Sequence, residues 1–362
     1  MKKQQRLTGI DLFRGLAMYA VIIVHIDEGV EVLPPTWLKV TNFASFCVPF
    51  FLAAAFYFAI NKLYRSQDRY PLRLRLERLL IPYGVWSALY LLYKSAKYLA
   101  AGESGRLLEL FQDPLSLVFF GGASYHLYFL PLLAMGTLLV KLVEFLITRK
   151  FSLKAVGLIA LISLLVYEVV LFSGNGLKEP GNIAFEPLLA AIFPEGNSNP
   201  LLRLLLVELA WALRCLPYIM VAMLLTHPAA NTFSYNLITK HSAFWALLFL
   251  AINIFSSGVL PDAVGEISRG YSALIVALSI SSFLKEDPLI KNIGFCSFGI
   301  YLVHIFFVET FQSIAIRLYP EYVNSVSIFF LLAATTTVFI SSWVTTILLM
   351  RNEKISHVLY GI

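Results

Sequence analysis

Charge is what this chain has least of. Asp, Glu, Lys and Arg make up 14% of its 362 residues, where a soluble domain carries about a quarter. With 59% hydrophobic residues it cannot clothe a water-facing surface, so a soluble enzyme or scaffold is excluded and a polytopic membrane protein remains. Cysteine is scarce too. Cys47, Cys215 and Cys296 fall in apolar segments with no C-x-x-C spacing, which excludes a disulfide framework or a thiolate zinc site; they read as small packing residues. The chain has no P-loop, no GxGxxG, no HExxH and no GxSxG elbow. Its six histidines are not spaced as ligands on one helix, so no metal is expected. The net charge of +6 is used up by topology, and nothing else supports nucleic-acid binding.

What the chain does have is apolar length. Ten segments, approximately 10–29, 38–60, 79–98, 126–147, 154–173, 204–226, 242–260, 268–284, 294–314 and 326–350, can each cross about 30 Å of hydrocarbon. The expected fold is all-α, a polytopic transmembrane helical bundle of about ten spans that forms a single domain over 1–362. Residues 114–125 are apolar but short and glycine-bearing, and read as re-entrant or interfacial. With the N-terminus inside, 17 of the 28 Lys and Arg residues lie in inner loops and 8 in outer ones, so both termini are expected to be cytoplasmic in a multi-pass protein of the plasma (inner) membrane. A cleaved signal is not expected, because Asp11 and Arg14 interrupt the first apolar stretch. The outer loop from Ser173 to Arg203, with Glu179, Glu186 and Glu195, has the composition of a lid.

Ionisable residues at membrane depth cost roughly 2.5–3.5 kcal/mol each on insertion scales, so each is a candidate for function. The first span holds Asp11, Arg14 and His25. Eleven steps of 100° return to within about 20°, which puts Arg14 and His25 on one helix face, about 16 Å apart. Glu28, one turn beyond, is placed to fix the His25 tautomer, as a general base requires; Asp27 points away. Arg75 and Arg78 lie three apart on one face entering the third span. With Arg14 they would suit phosphate groups at the inner face, whereas Arg65 and Arg69 read as topology alone. His126 opens the fourth span at the outer face and could touch an external substrate. His304, in the ninth, is either a second substrate-binding group or a core histidine. His227, His241 and His357 sit at span ends.

The segment Gly9-Ile-Asp11-Leu-Phe-Arg14-Gly15-Leu-Ala17, with ten residues between Arg14 and His25, closely resembles the opening motif of the membrane-bound acyltransferase-3 family. The resemblance continues through Val48-Pro49-Phe50-Phe51, Arg75-x-x-Arg78-Leu-Leu-Ile-Pro82-Tyr83-x-x-Trp86, Leu127-Tyr-Phe129-Leu130-Pro131 and Ser297-Phe-Gly-Ile-Tyr301-Leu-Val-His304. It implies an integral membrane O-acyltransferase that moves an acyl group, acetyl first among them, from cytoplasmic acyl-CoA to a hydroxyl of a surface glycan or lipid-linked sugar. His25 matches the family's essential histidine, Arg14 its paired arginine, and Arg75 with Arg78 its arginine motif. The distance from Arg14 to His25 is then roughly that of an extended pantetheine arm. Ala54-Ala55-Phe56 stands where the family usually has Ser-Gly-Phe, and Tyr128 replaces a usual tryptophan. The alternative on the residues alone is a transporter or exporter of a glycan or small anion, with the same buried groups as substrate path and proton relay. A third is a structural subunit of a polysaccharide-assembly complex.

Overall fold

A computed structural model describes residues 7–66, 69–173, 200–319 and 326–361. Among them the regular structure is helical throughout. In chain order the first seven helices are α1 (Thr8–His25), α2 (Pro35–Ala44), α3 (Cys47–Ser66), α4 (Leu72–Ala101), α5 (Ser104–Glu109), α6 (Phe129–Thr148) and α7 (Leu153–Phe172). They are followed by α8 (Pro200–Thr226), α9 (Asn231–Lys240), α10 (Ser242–Phe255), α11 (Asp262–Ile280), α12 (Pro288–Leu318), α13 (Ile328–Met350) and α14 (Glu353–Tyr360). Every one of the ten expected segments is helical over most of its length. Eight stretches are long and apolar enough to cross a membrane, and a ninth arises if α9 and α10, bent by 87°, make one span. The chain is an all-α, multi-pass membrane protein. The outer loop expected as a lid lies, between 174 and 199, outside the described residues.

Contacts divide the chain into two compact units, Met1–Ala55 with Ala230–Glu353, and Phe56–Ala229 with Lys354–Ile362. In the first unit α1 is central and packs against α2, α11, α12 and α13. It can approach closely because glycine stands at the crossings. A Cβ at Gly9 would lie 2.2 Å from the Ala277 carbonyl oxygen of α11, and one at Gly294 of α12 would lie 2.5 Å from the Asp11 Cβ. Small residues at such crossings supply van der Waals contact that lipid cannot. The Gly9 amide, an orphan donor of the helix start, is taken up by Ser281 Oγ at 3.0 Å.

The structure corrects two boundaries in this unit and interrupts one helix. α1 ends at His25, not at 29, because residues 26–30 turn, with Gly29 at φ +79°. The second span is broken at Ser45–Phe46, where Pro49 has no N–H to return to the Ser45 carbonyl. α11 starts at Asp262, not at 268, so Arg269 lies two turns inside the helix. Its guanidinium closes the break: it donates to Asn42 Oδ1 at 3.1 Å, to Ser45 Oγ and to Ser256 Oγ at 2.9 Å.

The second unit is built on α4, α6, α7 and α8, with α8 lying on both α6 and α7. Leu158, Leu161, Leu165 and Phe172 of α7 face outward, as a lipid-facing helix requires. The segment before α6 is a compact hairpin. Asp113 Oδ1 accepts from the Ser116 amide at 3.0 Å, a π-turn covers Ser116–Phe120, and a 3-10 turn covers Tyr125–Tyr128. Gly121 joins them at φ +79°, where a Cβ would lie 2.3 Å from the Tyr128 nitrogen. Tyr83 of α4 clamps the hairpin, donating to the Leu117 carbonyl and accepting from the Gly121 amide, each at 3.0 Å.

Crossing glycines and a free one behave oppositely under substitution. Gly9→Val forces α1 off Ala277 and is expected to cost about 1–3 kcal/mol. Gly84, mid-helix in α4 with nothing within 4 Å of its would-be Cβ, should gain about 0.5–1 kcal/mol as Gly84→Ala. Thermal unfolding of the purified protein reads both; equal shifts would show that the α1 crossing is loose.

Candidate functional site

The first unit places the ionisable residues of α1 along one unbroken helix. Asp11 is buried and Arg14 exposed, and the eleven-residue step from Arg14 to His25 spans about 16 Å. His25 is the last residue of α1. Its Nδ1 lies 3.1 Å from Glu28 Oε1. Glu28 reaches it from a turn rather than from a continuing helix, so the expected helical offset does not apply; the turn itself brings the carboxylate back over the ring. A carboxylate accepts only, so a neutral His25 donates Nδ1–H to Glu28 and carries its lone pair on Nε2.

Two further groups hold this turn. The last carbonyls of a helix have no partner within it. Here Gln312 Nε2 of α12 donates to the carbonyls of Ile26 at 3.3 Å and Glu28 at 3.0 Å. Asp27 Oδ2 accepts from the indole N–H of the fully buried Trp37 at 2.8 Å. Burial raises the Asp27 carboxyl above the usual carboxylate range, and the Trp37 bond draws it partly back.

His304 stands beside His25, with ring centroids 5.7 Å apart and tilted by 35°. It is fully buried on α12, and its Nδ1 lies 2.6 Å from the Tyr301 carbonyl. A carbonyl accepts only, so Nδ1 bears the proton and Nε2 the lone pair. The two imidazoles, 279 positions apart in sequence, therefore share a tautomer and a neighbourhood.

The second unit holds the other expected residues. α4 begins at Leu72, earlier than the apolar stretch suggests, so the arginine series rides on its first turns. Arg73 pairs with Glu77 at 2.7 Å. Arg75 is half-buried and Arg78 exposed, and no carboxylate among the described residues pairs with either. Arg75 lies near Tyr70, whose phenol is pushed up by burial and drawn back by that charge. His126 is 2% exposed, with Nδ1 3.0 Å from Ser124 Oγ and its ring 5.1 Å from that of Tyr90. It is a buried group of the hairpin, not one laid open on a surface.

The acyltransferase-3 family, described as an acyltransferase domain, matches residues 7–346. The chain belongs to that family. No curated protein and no solved structure matches it. As an acyltransferase-3 protein it is a membrane acyltransferase. The match takes in every residue of this subsection, from Asp11 to Gln312.

Sequence reasoning missed Gln312 and Trp37, which hold the turn after α1. Neither carries a motif: a lone glutamine in an apolar helix and a tryptophan in a belt-like segment have ordinary readings, and only the fold aims them at residues 26–28. Their role is testable through Asp27. A carboxyl raised in the folded state costs stability once pH exceeds its unfolded value near 3.8, and loss of the Trp37 donor raises it further. Trp37→Phe should therefore destabilise by about 1 kcal/mol more near pH 7 than near pH 4, beyond any packing loss common to both. Thermal unfolding at the two pH values reads the difference; a loss independent of pH would show that the bond does not stabilise the carboxylate.

Proposed function

We propose that this acyltransferase moves an acyl group, acetyl first among the candidates, from acyl-CoA to a hydroxyl of a surface glycan or lipid-linked sugar, with His25 as general base. The observation that carries the reading is the 3.1 Å contact between His25 Nδ1 and Glu28, in a chain whose family transfers acyl groups. With Nδ1–H held by Glu28, Nε2 takes the acceptor's proton as the acceptor oxygen bonds to the thioester carbonyl carbon. Collapse breaks the C–S bond; the sulfur leaves with the proton from the imidazolium, giving an ester and the CoA thiol and returning His25 to neutrality. Attack by Nε2 itself, through an acyl-histidine, is the other route open to the same atoms.

Glu28 both sets the tautomer and offsets the charge that forms on His25. His304 extends the imidazole surface beside it and is proposed as a substrate contact; His126, buried with Ser124, is proposed to act on the acceptor side. Arg14, Arg75 and Arg78 are proposed phosphate contacts for the CoA donor. In support, Arg73 is neutralised by Glu77 while Arg75 and Arg78 keep their guanidinium donors for another anion. The excess of Lys and Arg in alternate loops supports cytoplasmic termini in the plasma membrane, which puts the arginine end of α1 towards cytoplasmic acyl-CoA and His25 towards the outer leaflet. Membrane lipids and a carbohydrate acceptor are the partners this reading needs; it needs no metal.

Release of free CoA from acetyl-CoA by the purified protein in liposomes tests the proposal. His25→Ala should lower it about 10²–10⁴-fold, the usual span for a general base. Glu28→Gln should lower kcat by about tenfold, and Arg75→Ala should raise KM for acetyl-CoA by about tenfold or more with a smaller effect on kcat. Folded protein that neither releases nor binds CoA would remove the reading and restore the transporter.

A further inference from the structure

α14 lies beyond the family match, which ends at residue 346, and its last residues pack on α4. Ser356 and Tyr360, four apart on one face of α14, are buried, while Lys354, His357 and Val358 are exposed. The Tyr360 ring lies 6.5 Å from that of Trp86, which also meets Tyr90 at 6.0 Å. The Leu359 carbonyl is among the last of its helix and has no partner within it. It accepts from the Trp86 indole N–H at 2.9 Å. Gly361 closes the helix: its amide donates to the His357 carbonyl at 3.0 Å with φ at +67°, the left-handed cap that glycine adopts most readily. It is buried against the backbone of Arg78. A Cβ there would lie 2.9 Å from the Arg78 carbonyl oxygen and 3.0 Å from Arg78 Cα.

These contacts fall on either side of a weak place in α4. Pro82 lies inside that helix and is buried. It has no N–H to return to the Arg78 carbonyl, and its ring crowds that carbonyl, so the helix can bend there. Arg78 stands four residues before Pro82 and Trp86 four residues after it. Gly361 meets the first and Leu359 is held by the second. Residues 359–361 therefore grip α4 across its proline, and the backbone that carries the Arg78 guanidinium is one of the two points gripped.

We propose that Leu359, Tyr360 and Gly361 form a clamp across Pro82 that fixes the Arg78 backbone, and so aims its guanidinium at the phosphates of the acyl-CoA donor. Trp86 and Gly361 are positioning residues: they act through Arg78 and do not touch the donor. The role of the clamp rests on the donor reading of Arg78, but its grip on α4 can be read without CoA.

Hydrogen–deuterium exchange on the full-length protein in nanodiscs reads the grip, and titration with CoA alone reads the aim of Arg78. Trp86→Phe removes the indole donor but keeps a ring against Tyr360 and Tyr90; Gly361→Ala adds the obstructing Cβ. Each should speed exchange over residues 73–81 about threefold or more and leave α6 to α8 unchanged, which also shows that the protein is folded. Each should weaken CoA binding about threefold or more, part of the roughly tenfold loss expected for Arg78→Ala. KM for acetyl-CoA should rise in step, with kcat for CoA release changed less than about twofold. In an Arg78→Ala background both variants should weaken binding no further, whereas a general loss of packing would act equally in the two backgrounds. Exchange unchanged in both variants, CoA binding unchanged while Arg78→Ala weakens it, or equal losses in both backgrounds would overturn the clamp and leave the donor reading standing. Arg78→Ala protein that binds CoA as tightly as wild type would remove the donor role of Arg78 and the clamp's function with it, whatever the exchange shows.

Discussion

The close approach of α1 to α11 and α12 is the constraint on which the first unit depends. α1 carries Asp11, Arg14 and His25 and cannot stand against lipid on all sides, so it has to be the inner helix. Of its most apolar eighteen residues 67% are buried, against 28% for α7 and α13. Burial alone does not fix its depth or rotation; glycine does. Gly9 against the Ala277 carbonyl and Gly294 against Asp11 leave no room for a side chain on either surface, so the helix sits at one register. With the register set, the last residue of α1 falls beside the middle of α12, and His25 meets His304.

That meeting depends equally on how α1 ends. A longer helix would carry Glu28 past the imidazole on its own side. The turn at 26–30 brings it back, and ending the helix there leaves carbonyls with no helical partner. Gln312 supplies the donors and Trp37 supplies one for Asp27. The arrangement of His25 and Glu28 is thus held by groups from α2 and α12. The same logic operates at the α2–α3 break, where Arg269 takes up Asn42, Ser45 and Ser256.

The parts of this structure that depend on period and composition were legible in the sequence. The apolar segments, the shared face of Arg14 and His25 and the spacing of Arg75 and Arg78 follow from 1.5 Å and 100° per residue. The motif around Arg14 also pointed to the family that the whole-length match bears out. What depends on contact was not legible. The helix end at His25 is decided by Gly29 and by donors 10 and 286 positions from the groups they hold, and the start of α4 at Leu72 is hidden because its charges lower the hydropathy there. His304 could be read equally as core or site, since an isolated histidine carries no signal of its neighbour. His126 was expected at an outer face by its place in the span; the hairpin that buries it begins with residues whose π- and 3-10 turns have no periodic signature.

Polar groups within the bundles fall into two physical kinds, and the distinction bears on function more than burial does. Arg269 and Tyr83 have their hydrogen-bonding capacity spent on the chain itself, and Arg73 is neutralised by Glu77. Such groups stabilise breaks and hairpins, and an apolar substitute would leave backbone or side-chain partners unpaired. Arg75 and Arg78 are of the other kind: no carboxylate among the described residues pairs with either. Both stand in the first turns of α4, where a guanidinium keeps its fork of donors for an anion.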